Sequence, residues 1–140
     1  MEESVLIENM IKWAESQVES KEYAGGGLSF VGDALEQCCK SGRFSGENPK
    51  ESADLYSDDM RDGVPERGAF VFYDCYEPNV EGLFNVGHCG IYIGEGDIIH
   101  AWDTVRIDEY MSVEALKTPH GFNPRYIGWV PFSKVLEQKQ

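Results

Sequence analysis

Two histidines, His88 and His100, lie in one stretch: Gly87-His88-Cys89-Gly90-Ile91-Tyr92-Ile93-Gly94-Glu95-Gly96-Asp97-Ile98-Ile99-His100-Ala101-Trp102. Imidazole is the side chain whose ordinary pKa lies nearest neutrality, so a histidine among apolar strand residues is either a satisfied core residue or a working base. Two of them on one hairpin favour the working base. A base of this kind needs a nucleophile. A thiol is activated where a helix begins, because unpaired N–H groups and a partial positive charge stabilise the thiolate. A histidine across from it then takes the proton. The sequence delivers a helix start at Gly27-Leu28, after Gly25-Gly26. No thiol stands there.

The other thiols are poorly placed to substitute. Cys38 lies eleven positions past Gly27, about 16 Å along a helix rising ~1.5 Å per residue, and Cys39 is no nearer. Cys89 adjoins His88 on a strand, where successive side chains point to opposite faces. Cys75 falls past a strand end with no placed partner. Ser29 is the nearest hydroxyl, a far weaker nucleophile than a thiolate. No Cys-x-x-Cys or His-x-x-x-His spacing occurs, so neither a metal nor another cofactor is expected.

The elements that must position these residues follow from periodicity. Val5, Leu6, Met10, Ile11, Trp13, Ala14 and Val18 recur at helical spacing and predict an amphipathic first helix. From Leu28 a wider apolar stripe through Phe30, Val31, Ala34, Leu35 and Cys38 predicts a buried central helix ending near Ser41-Gly42. Residues 41–50 read as a polar connection, and Glu51 to Arg61 as a short, mostly exposed acidic helix. Ala69 to Tyr73 reads as a strand, Tyr76 to Gly87 as a loop, and Val105 to Met111 and Arg125 to Pro131 as further strands. A helical turn capped by Ser112 and a short terminal helix from Ser133 complete the pattern. Helices first and a strand meander after them predict an α+β fold, one domain over 1–140, with the sheet packed on the buried helix. A three-residue Gly94-Glu95-Gly96 loop sets Gly90 opposite His100 and turns both rings toward the helix; a two-residue Glu95-Gly96 loop sends them to opposite faces. The three-residue loop is expected.

Taken in this order, the parts resemble the NlpC-type cell-wall cysteine peptidases, a papain-like family. The resemblance rests on Tyr23-Ala24-Gly25-Gly26 before the helix and on Pro65-Glu66-Arg67-Gly68 before a strand. It rests further on His88-Cys89-Gly90-Ile91-Tyr92-Ile93-Gly94 and Ile99-His100-Ala101, the hairpin being the most specific part. It covers about Tyr23 to Trp102. It implies that His88 is the general base, His100 the polar residue orienting it, and Tyr23 part of the substrate cleft, with Ser29 beside it. It aligns Gly27 with the catalytic cysteine, lost naturally or by deliberate substitution. The implied chemistry, amide hydrolysis of cell-wall stem peptides through a thioester, is then silent, and a cleft for short peptides remains.

Composition narrows the alternatives. With 25 acidic and 12 basic residues the net charge is −13, which excludes the basic footprint that nucleic acid demands. It offers nothing to an anionic membrane surface either. No apolar run spans a bilayer. The acidic start, Met1-Glu2-Glu3-Ser4, has no secretion-signal pattern, so a cytosolic location with reduced thiols is expected; a trimmed leader reads the same way. A second reading needs no catalysis: an interaction or immunity-type protein that reuses the fold, with Asp54, Asp58, Asp59 and Asp62 facing a basic partner protein. His120 is expected in a loop, and Trp102 and Trp129 as core anchors.

Overall fold

A computed structural model describes residues 2–39, 44 and 46–137. The expected helix end at Ser41-Gly42 lies outside the described residues. Helix α1 (Glu3–Ser16) buries Met10, Ile11 and Ala14, and α2 (Gly27–Cys38) buries Phe30, Val31, Ala34 and Leu35. Each set recurs at three- and four-residue spacing, the stripe that one helix face presents to a core. The acidic helix is shorter than expected and begins earlier: α3 (Pro49–Leu55) starts with Pro49 inside an Asn48 cap, whose side-chain oxygen accepts from Glu51 N–H. Proline there gives up an N–H that would be unpaired anyway. A 3-10 turn (Ser57–Asp59) follows.

Among the described residues seven strands follow: β1 (Phe70–Asp74), β2 (Tyr76–Asn79), β3 (Gly82–Asn85), β4 (His88–Gly94), β5 (Asp97–Ala101), β6 (Val105–Glu109) and β7 (Arg125–Val130). Helix α4 (Phe132–Glu137) closes the described chain. The main sheet runs β6-β5-β4-β1-β7 with antiparallel neighbours throughout, so the molecule is α+β. Tyr76 to Gly87 is not a plain loop: β2 and β3 pair as a separate ribbon. Pro78 is tolerated because a two-stranded ribbon is all edge.

Alternation divides the sheet into two buried faces. Phe70, Phe72, Cys89, Ile91, Ile99 and Ala101 pack with α1 and α2. Val71, Tyr73, Tyr92, Ile98 and Trp129 form a second cluster with Val113 on the opposite face. A 3-10 turn (Ser112–Ala115) brings Val113 there. Ser112 does not cap that turn. Glu109 takes that role, its carboxylate accepting from Met111 and Ser112 N–H.

The β4–β5 connection corrects the expected loop. Gly94 opposes Asp97, so the turn is the two-residue Glu95-Gly96, both residues with positive φ. That turn alone would send the histidines to opposite faces. A bulge between Tyr92 and Gly94 restores the register, pairing Ile91 with Ile99 and hence Gly90 with His100. One extra residue on one strand flips the facing of everything beyond it.

Candidate functional site

The approach to α2 is pinned to the sheet before the helix begins. Glu19 N–H donates to Val105 O at 2.7 Å and Gly25 N–H to Trp102 O at 2.9 Å. Gly25 adopts φ +72, a conformation that favours glycine. Tyr23 holds the turn from the other side: its hydroxyl donates to Asp33 Oδ2 at 2.6 Å, and its ring meets Phe30 edge-on. Burial and the Asp33 carboxylate push that phenol up to about 12. Helix α2 then starts with Gly26 as its cap, a residue with no side chain to satisfy the first N–H groups.

This anchoring sets Gly27 directly beside His88. A Cβ built on Gly27 would stand 3.2 Å from His88 Nδ1, 3.4 Å from its Cε1 and 3.6 Å from Cys89 O. His88 Nε2 lies 2.7 Å from His100 Nδ1, and His100 Nε2 lies 2.7 Å from Asp108 Oδ2. Arg106 completes the row, with Nε 2.8 Å from the same Oδ2 and Nη2 3.3 Å from Oδ1. Gly27, His88, His100, Asp108 and Arg106 therefore form one continuous line.

The two rings share a face, but not the face expected. They alternate with Cys89, Ile91, Ile99 and Ala101, which pack on the helices, so the imidazoles project from the other side of the sheet. They reach α2 because His88 is the first residue of β4, where the helix start passes the strand end. Cross-strand pairing does the rest: Arg106 stands opposite His100, and Asp108 opposite Ile98, two residues along the same face.

His100 is fully buried and His88 is 5% exposed. Burial, reinforced by the neighbouring His100, holds His88 well below the ordinary imidazole value, although Asp108 opposes this. The His100 hydrogen bond and then Arg106 hold the Asp108 carboxyl below its usual range against partial burial. Among the described residues no buried side-chain nitrogen or oxygen lacks a partner. Among the described residues nothing donates to His88 Nδ1, and His88 lines the cleft beside it.

That cleft has a volume of about 540 Å³, with His88, Gly25, Cys75, Trp102 and Arg106 in its wall, together with the β2 residue Glu77 and Leu116 to Pro119. Trp102 is half-buried rather than a core anchor, its ring 5.0 Å from that of His88 and nearly perpendicular. Trp129 is buried in the second cluster. Cys75, which the sequence left without a partner, lines the cleft; burial and Glu77 push its thiol up to about 11. Burial likewise raises Cys89, which faces the helical core. Tyr23 is not in the cleft wall. Ser29 is two residues beyond Gly27, about 200° around the helix, so it turns away from His88. His120 lies in an exposed loop with Nδ1 3.5 Å from Glu77 Oε2. Asp54 pairs with Lys50 at 2.5 Å, while Asp58 and Asp62 are exposed.

Asp108 and Arg106 were missed in the sequence, although a signal exists. In Val105-Arg106-Ile107-Asp108 the polar residues alternate, and continuing the hairpin register onto β6 puts them beside His100. Among the described residues no group of three or more His, Cys, Asp or Glu is arranged to hold a metal ion, and no helix is long and apolar enough to cross a membrane. Comparison with known proteins finds no matching family model and no matching curated protein.

Proposed function

We propose that this chain has the site of a papain-like hydrolase from which the nucleophile is missing. Within that class, the parts fit the NlpC-type cell-wall peptidases best. One observation carries the reading: the Cβ position of residue 27, at an uncapped helix start, lies 3.2 Å from the Nδ1 of a buried histidine that a second histidine and a carboxylate back up. A cysteine there would be stabilised as thiolate by the free N–H groups and would pass its proton to His88. The thiolate would attack an amide carbonyl, and the protonated His88 would return the proton to the leaving amine. With glycine at 27 neither step has a nucleophile, so the chain binds short cell-wall-type peptides in its cleft and leaves them intact.

The test uses the chain as it stands. A short stem-type peptide should shift the Trp102 indole and His88 ring resonances and be recovered uncut after long incubation. Cleavage by this chain overturns the assignment of inactivity. Saturating peptide with no change at either residue overturns the peptide cleft.

A further inference from the structure

We propose that Asp108 is a positioning residue that decides which nitrogen of His88 carries the proton, with Arg106 keeping Asp108 in the form that does so. The inference rests on the site just described and deepens it, but its test needs no substrate.

The hydrogen-bond row links the protons of the two rings. An ionised carboxylate only accepts hydrogen bonds. Its Oδ2 lies 2.7 Å from His100 Nε2, so that nitrogen must bear the hydrogen. Provided that His100 carries this one ring proton and no second, its Nδ1 is an acceptor, and it lies 2.7 Å from His88 Nε2. His88 therefore donates from Nε2, which leaves its Nδ1 bare and facing residue 27. Burial keeps His88 uncharged, so His88 itself has no second proton. Reversal would press a lone pair of His100 Nε2 against the carboxylate at 2.7 Å and aim an N–H at residue 27. A ring in that state cannot accept a proton there. Arg106 donates to both carboxylate oxygens and so favours the ionised form on which every later choice depends. One carboxylate, two hydrogen bonds away, thus makes His88 a base rather than an acid.

Long-range ¹H–¹⁵N correlation spectra of the histidine-labelled full chain report both ring nitrogens directly. In the unaltered chain His88 should be protonated on Nε2, with a bias of roughly 10- to 100-fold, the worth of one hydrogen bond to a charged group. Asp108→Leu removes the acceptor, and the bias should collapse to about threefold or less. Asp108→Asn, whose amide oxygen can accept from His100 Nε2 and Arg106 Nε together, should restore it. Asp108→Val, suited to a strand and equally without an acceptor, carries the same test should the leucine variant not fold. A His88 protonated on Nδ1 in the unaltered chain overturns the proposal. So does a folded Asp108→Leu or Asp108→Val protein that keeps the original tautomer. Absence of peptide binding would leave these spectra unchanged, so the two readings fail separately.

Discussion

Introducing a thiol by Gly27→Cys tests the relay through chemistry at residue 27 itself. Gly27 does not have a positive φ, so a side chain meets no backbone strain. Its Cβ would contact the His88 ring at 3.2 and 3.4 Å, tight enough that the ring must yield a few tenths of an ångström. Overpacking of this kind costs about 1–2 kcal/mol, and removing a glycine from a helix returns about 0.5–1 kcal/mol. Net stability should therefore change by no more than about 1.5 kcal/mol. The new thiol sits at a helix start beside a bare imidazole nitrogen, so its pKa should fall to about 7 or below, against about 8.5 for a free cysteine. The assay is the pH dependence of iodoacetamide alkylation, with the unaltered chain as background. Burial helps there, since it pushes Cys38 up to about 12 and Cys75 up to about 11. In a His88→Asn background the profile should return toward that of a free thiol. Hydrolysis of a stem peptide should rise at least ~10²-fold only when the introduced thiol and His88 are both present. An alkylation profile centred near about 8.5 and indifferent to His88 would refute the relay, whatever substrate is chosen.

Acidification should weaken the fold through His88: its folded value lies well below the ordinary 6.5, so the unfolded chain binds the proton more readily below that pH. Stability should be complete above about pH 6.5 and fall by up to ~1.4 kcal/mol per pH unit below it. The lowered Asp108 adds a further loss only as pH falls below its ordinary 3.8. Denaturant melts at stepped pH read this slope, and His88→Gln should flatten it; an unaltered chain equally stable at about pH 6.5 and 4.5 would contradict it. Gly90→Ala should cost about 1–3 kcal/mol, because the new Cβ would lie 2.9 Å from His100 Cβ and 3.0 Å from Ile99 O. Gly32→Ala, in α2 with nothing within 4 Å of its Cβ, should instead stabilise by about 0.5–1 kcal/mol; thermal melts of the two variants should move in opposite directions.

What the sequence made legible followed from residues whose local pattern and tertiary role agree. The stripes of α1 and α2 announce their buried faces, and the apolar arms of β4 and β5 around Glu95-Gly96 announce a hairpin. The β2–β3 ribbon was hidden because its strands are only four residues each and largely exposed, so no buried face imposes alternation, and Pro78, Asn79 and Gly82 dominate the local signal. The bulge near Ile93 was hidden for a different reason. The turn beside it has Glu95 at a positive φ, which a non-glycine residue does not advertise. Gly90 opposite His100 was the right register reached by the wrong turn. The part of the site lying on β4, β5 and α2 was visible as histidines and a glycine-led helix. The part on β6 was not, because nothing local marks Asp108 as the partner of a residue on the next strand.

The relay does not depend on a sulfur atom for its integrity. Three of the four ring nitrogens of His88 and His100 find partners within the sheet and the Asp108 carboxylate, so glycine at 27 leaves no broken network behind. Loss of a thiol there would remove chemistry and spare the fold. A pair of histidines serving only to fill a core would have no reason to differ at the fourth nitrogen. Here that nitrogen stands bare against a helix start whose first N–H groups have no side-chain cap. An acceptor and an uncapped helix start thus meet at Gly27. Packing alone does not call for that convergence, whereas a thiol that must shed a proton and then be stabilised as an anion calls for both halves of it.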